Sequence, residues 1–148
     1  MSLISHKYVF ASGGALVGAL SDWNATHSAL PQQHVIVWSY GGGLTTGANM
    51  SAEVRAPISG TIVRADGSVK TVSSGSNIIC DINLAGTSIW STSQGNRLTI
   101  SALLTTGSVQ YFDTSTFGTG QYFTLDIDQV GSSVAGGNLT TALHITYP

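Results

Sequence analysis

Apolar and polar residues alternate with a period of two through most of this chain. Near the C-terminus, Leu139, Thr141, Leu143, Ile145 and Tyr147 fall on one side, and Thr140, Ala142, His144 and Thr146 on the other. That is the pattern of a strand with one buried face. Phe123, Leu125 and Ile127 oppose Tyr122, Thr124, Asp126 and Asp128 in the same way. Ile58, Gly60 and Ile62 form a third inward row, and Leu98 with Ile100 a fourth. "IICDINLAGTSIW" (78–90) reads as strand, tight turn, strand. From residue 50 onward there are eight such short runs, most of them separated by Gly, Asn, Asp, Ser or Pro. This spacing predicts an all-β sandwich or barrel. The inward rows are expected to meet as the two inner faces of a sandwich about 10 Å thick. No helix-period segment interrupts them, which argues against a βαβ architecture.

The first 50 residues are less regular. "LISHKYVF" (3–10) has the strand preference of β-branched and aromatic residues. Ser21 is a good helix N-cap, Asp22 suits a first turn and Pro31 a stop, so a short helix is expected over 22–30. "HVIVWSY" is a strand, and "GGGLTTGAN" is expected to be a loop, because strand interiors disfavour successive glycines. The expected division is an N-terminal arm, short helix and connecting loop over 1–50, followed by the β-sandwich over 51–148. Leu3, Ile4, Tyr8, Val9 and Phe10 are apolar residues at a terminus, which frays unless it is tied down. They need a surface to cover: either they add a strand to their own sandwich or they add one to a neighbouring subunit, and the second reading is preferred, with Trp23 also facing a neighbour.

Composition narrows the partners. A chain of 148 residues fits one domain. Only 8% of its residues are charged, against about 25% in ordinary domains. Ser and Thr make up about a quarter of the chain, and Gly adds 18 residues. The net charge is −2, and Lys7, Arg55, Arg64, Lys70 and Arg97 are scattered, so no basic footprint for nucleic acid or an anionic membrane exists. Low charge also leaves little repulsion against self-association. The longest apolar stretch is far too short to span a bilayer. "MSLISHKYVF" lacks the build of a signal peptide, so synthesis in a cytosol is expected. Cys80 is alone among isoleucines, which fits a small buried residue and excludes an intrachain disulfide or a cysteine-based zinc site.

Three segments carry a family resemblance: "ISGTIVRADGSV", "GSNIICDINLAGTSIWST" and "YFTLDIDQVGSSVAGGNLTTALHI". In this order they resemble a β-sandwich domain recurring in tailed-phage structural proteins. "LSDWNATHSAL" is similar to a connector found upstream of such domains. The resemblance implies a jelly-roll-like module of a virion: a capsid decoration protein, a head fibre, or a tail-fibre or receptor-binding module. It also implies a homotrimer whose partners are other virion proteins, such as the major capsid protein, assembled in the host cytoplasm. About 50 residues precede the domain, without heptads or a collagen-like repeat, so a compact decoration protein is favoured over a shaft.

Candidate chemistry is sparse. His6, His27, His34 and His144 form no HExxH or i, i+4 pair, and no metal site or cofactor is expected. Asp126 and Asp128 project from one strand face, as Asp81 and Asn83 do, and a structural role is favoured over a cation site or a glycosidase pair. No GxSxG elbow is present, and "SYGGGLTTG" lacks the lysine of a phosphate loop. A non-enzymatic role is therefore expected. The alternative is a receptor- or glycan-binding module. Among the aromatic residues Trp23, Trp38, Trp90, Tyr111, Phe112, Phe117 and Tyr122, its ligand contacts would be Tyr111, Phe117 and Tyr122, within or beside an exposed loop "QYFDTSTFGTGQYF". The competing reading of that segment makes Phe112 and Phe123 core residues.

Overall fold

The computed structural model describes residues 32–148. The arm residues Leu3, Ile4, Tyr8, Val9 and Phe10, the helix expected over 22–30, Trp23, His6 and His27 lie outside the described residues. Ten antiparallel strands build two sheets. They are β1 (Gln32–Gly43), β2 (Val54–Arg55), β3 (Gly60–Thr71), β4 (Ile78–Leu84), β5 (Thr87–Ser88), β6 (Leu98–Ile100), β7 (Thr106–Val109), β8 (Thr116–Phe117), β9 (Tyr122–Gln129) and β10 (Gly137–Tyr147). One sheet runs β1-β10-β3-β7, with β8 also paired to β3. The other runs β2-β9-β4-β5, with β6 also paired to β4. Among the described residues the helical content is one 3-10 turn, Gln94–Asn96.

The alternation places the core between the sheets. Leu139, Thr141, Leu143 and Ile145 of β10 are buried, as are Phe123, Leu125 and Ile127 of β9, Ile78, Cys80, Ile82 and Leu84 of β4, and Leu98 and Ile100 of β6. All but Thr141 belong to one apolar cluster with Trp38, Ile62, Ala65, Val69, Ile89, Trp90 and Phe117. Edge-to-face packing of Phe117 on Phe123, 5.2 Å between ring centroids, joins the two sheets across this core. On another flank the layers nearly touch: a Cβ on Gly107 of β7 would collide with the Thr99 carbonyl oxygen of β6. Only glycine fits where one sheet's backbone meets the other's.

The expected hairpin forms between β4 and β5, closed by Ala85 and Gly86 with φ of 51° and 83°. Positive φ at both central positions is the I′ pattern, whose twist matches that of paired strands. β5 is only two residues long, and the chain then turns Trp90 into the core.

Three expectations are corrected. β1 pairs with β10 from Gln32 to Gly43, so the sandwich already includes residues that had been assigned to the arm and connecting loop. Gly41, Gly42 and Gly43 end that strand rather than opening a loop, because a register shift between Tyr40 and Gly43 takes up the irregular backbone. Ile58 is 47% exposed and does not share the inward row of Ile62, since it precedes β3 and is not held by its pleat.

Candidate functional site

The polar groups most able to do chemistry lie on the outer faces of the two sheets. On the β1-β10-β3-β7 sheet, register sets Ala142, Asp66 and Ser108 in one outward row, with Thr140, Ser68 and Thr106 in the next. Short side chains leave an open trough of about 500 Å³ there, lined by Asp66, Ser68, Thr106, Ser108, Thr140 and Ala142. At its end Arg64 and His144 both reach Asp66 Oδ2, at 2.6 Å and 2.8 Å. Burial alone would raise the Asp66 pKa, but hydrogen bonds from Ser108, Arg64 and His144 outweigh it and hold the carboxyl below its ordinary value. Serine, histidine and aspartate thus come together, but in the wrong order for nucleophilic catalysis. A triad needs histidine between serine and aspartate; here Asp66 is the hub and both partners point at it.

The outer face of the second sheet carries the aspartates singled out in the sequence. Asp81 of β4 and Asp126 of β9 are directly opposite in register. Asp126 accepts a bond from the Asn49 backbone amide through Oδ1 and from Asn83 Nδ2, at 2.7 Å, through Oδ2. Asp128 is ion-paired with Arg97. Asp81 accepts a bond from Ser88 Oγ at 2.7 Å; burial pushes its pKa up against that bond. Each carboxylate is held by a different protein partner. No group of three or more His, Cys, Asp or Glu among the described residues is arranged to hold a metal ion. Cys80 is fully buried, and burial pushes its thiol up to about 12, so it is no nucleophile in the folded protein.

The aromatic candidates separate. Tyr111 is 55% exposed, and its carbonyl oxygen accepts the Trp90 indole N–H at 2.6 Å. Tyr122 is half-buried beneath the Arg55 guanidinium, 5.3 Å from the ring centroid. Phe117 is 4% exposed and lies in the core against Phe123, so it is corrected from ligand contact to packing residue. The segment around it is likewise no open loop: Thr116–Phe117 pairs with β3, and Phe112 packs on Trp90. Of the other tryptophans, Trp90 and Trp38 are buried.

Two surface features lie beyond the reach of local sequence pattern. One is the Arg64–Asp66–His144–Ser108 cluster. Its outward residues follow from the alternation, but their meeting depends on pairing strands about 80 positions apart. The other is exposed apolar surface: Val35 and Val37 on β1, and Leu103 and Leu104 beside Val134 where two loops meet at Ser73 and Ser74. Pattern does not single out the valines, because "VIVW" is a continuous apolar run that does not tell which sheet face is covered.

No protein-family model and no curated protein matches the chain. Among solved structures it is similar to a chain of the cyanophage Pam1 capsid asymmetric unit, at 8% identity and a TM-score of 0.44, covering 100% of this chain and 98% of that one. At that TM-score the likeness decides nothing about this chain's role.

Proposed function

We propose that this chain is a non-enzymatic structural protein of a phage virion, a capsid decoration or stabilising protein that works by burying surface against its neighbours. The observation that carries the assembly part is β1. It is a long strand at a sheet edge with no charged residue, and Val35 and Val37 on it are exposed. Edge strands of stable monomers are usually short, charged or bulged, whereas β1 runs regularly for nine residues before its register shift past Tyr40. The virion part rests on the resemblance of the three sandwich segments and the upstream connector. The polar clusters fit the same reading, since their carboxylates are taken up by neighbouring side chains and amides rather than aimed at a common point.

In this account the segment containing Leu3, Ile4, Tyr8, Val9 and Phe10 fastens the sandwich to a neighbouring virion subunit, as an added strand. Particle binding then stabilises the shell as any ligand stabilises the state it binds. Deleting residues 1–12 is expected to abolish binding of the purified protein to particles while its melting curve stays that of a folded sandwich. Normal particle binding by the truncated chain would contradict the arm. The trimer implied by the resemblance is part of the same proposal. Glycan binding is the weaker reading, because Phe117 is withdrawn into the core and Tyr122 lies under Arg55.

A further inference from the structure

The edges of this fold are unequal. β2 and β5, which end the second sheet, are two residues long, and β7, at the far end of the first, is four. Short edges of this kind offer little template for another chain. β1 is different: Gln32 to Tyr40 pairs with β10 without a register shift, nine residues in a row. Among the described residues nothing pairs with its other side. Alternate residues of a strand direct their N–H and C=O groups to each side, so that edge carries a regular series of donors and acceptors that no described strand pairs.

On the outer face this run is alike on both sides of its midpoint, Ile36, while on the other face His34 mirrors Trp38 and Gln32 mirrors Tyr40. Val35 and Val37 flank it on the outer face, 49% and 56% exposed, and Gln33 and Ser39 follow at equal distances. A two-fold axis perpendicular to the sheet keeps each residue on its own face, so it pairs residues of like parity. Full overlap of the regular run then allows one register: Ile36 opposite Ile36 of the second copy, Val35 opposite Val37, Gln33 opposite Ser39. Four valines meet at the centre, polar residues flank them, and no like charges face each other anywhere along the run, because it holds none.

We propose that β1 pairs with β1 of a second copy in this antiparallel register, joining the two β1-β10-β3-β7 sheets into one continuous sheet. This goes beyond the virion reading and does not depend on it. It is a two-fold contact of the closed, isologous kind. Three-fold contacts elsewhere on the molecule would combine with it into hexamers.

Disulfide trapping tests the register. Val35→Cys and Val37→Cys change exposed positions, and the natural Cys80 is buried. On mixing the two variants of the full chain under mild oxidation, the mixed disulfide is expected to exceed either homodisulfide several-fold, as directly opposite residues lie within disulfide reach and diagonal ones do not. Sedimentation of the unmodified chain should give a dimer or hexamer. The doubly substituted Val35→Lys/Val37→Lys chain should halve that mass and keep its β-sheet circular dichroism. A chain lacking residues 1–12 should retain the mixed disulfide. A monomer or a simple trimer overturns the proposal, as does equal formation of all three disulfides. Loss of the mixed disulfide on deleting 1–12 overturns it too, assigning the β1 edge to the arm instead.

Discussion

Phe117 and Tyr111 lie six positions apart and have opposite fates. Phe117 fills the space between the sheets, and its removal leaves a cavity that the rigid strands cannot close. Phe117→Ala is expected to cost about 3–5 kcal/mol in denaturant unfolding. Tyr111 presents its ring to solvent and its carbonyl oxygen to Trp90. Tyr111→Ala keeps that carbonyl and should change stability by no more than about 0.5 kcal/mol. A large loss at Tyr111, or none at Phe117, would contradict these placements. Asp113 sets a pH dependence. Desolvation would raise its pKa, but the Thr92 and Ser93 amides, at 2.8 Å and 2.7 Å from Oδ2, pull it from 3.8 down to about 2. A depressed carboxylate stabilises the fold above its unfolded pKa, and that contribution is lost as pH falls through the folded value. Asp113→Asn should therefore flatten the decline in thermal stability between about pH 4 and pH 2. An unchanged acid limb would show that the clasp contributes nothing.

The β4–β5 turn can be tuned in both directions. Ala85 occupies left-handed backbone with φ of 51°, a region that asparagine tolerates better than alanine. Ala85→Asn should raise Tm by about 2 °C, and Gly86→Ala should lower it by about 3 °C, near 1 kcal/mol for a domain of this size. Calorimetry showing no change for either variant would mean that the turn does not constrain the hairpin. That hairpin was readable in advance because alternation and turn chemistry are local. So were the inward rows of β9 and β10. Ile58 escapes the alternation because it precedes β3, where no neighbouring strand fixes a face. Gly41–Gly43 depart from local preference for a related reason. Glycine disfavours strand interiors, but Gly43 pairs with Gly137 and Gly42 N–H donates to Asn138 Oδ1, contacts made nearly 100 positions away. Phe117 followed the same rule. An aromatic residue between Thr, Gly and Ser reads as exposed until β8 is known to pair with β3. The His144–Asp66 contact and the place of β1 at the end of its sheet likewise depend on strand order, which local pattern does not carry.

Residues 32–148 form a sandwich with a broad apolar core, whose polar clusters are largely tied to its own side chains and amides. Its long uncharged edge and exposed valines are the features on which the proposed assembly with neighbours rests. Composition pointed the same way, since 8% charged residues leave little to keep copies apart. The central claim is that those neighbours are virion subunits. The most direct test is immunogold electron microscopy of intact particles purified from cells producing this protein, with antibody against the sandwich. The account predicts label distributed over the head of the particle. Particles that carry no label, from cells where the protein is abundant, would contradict it.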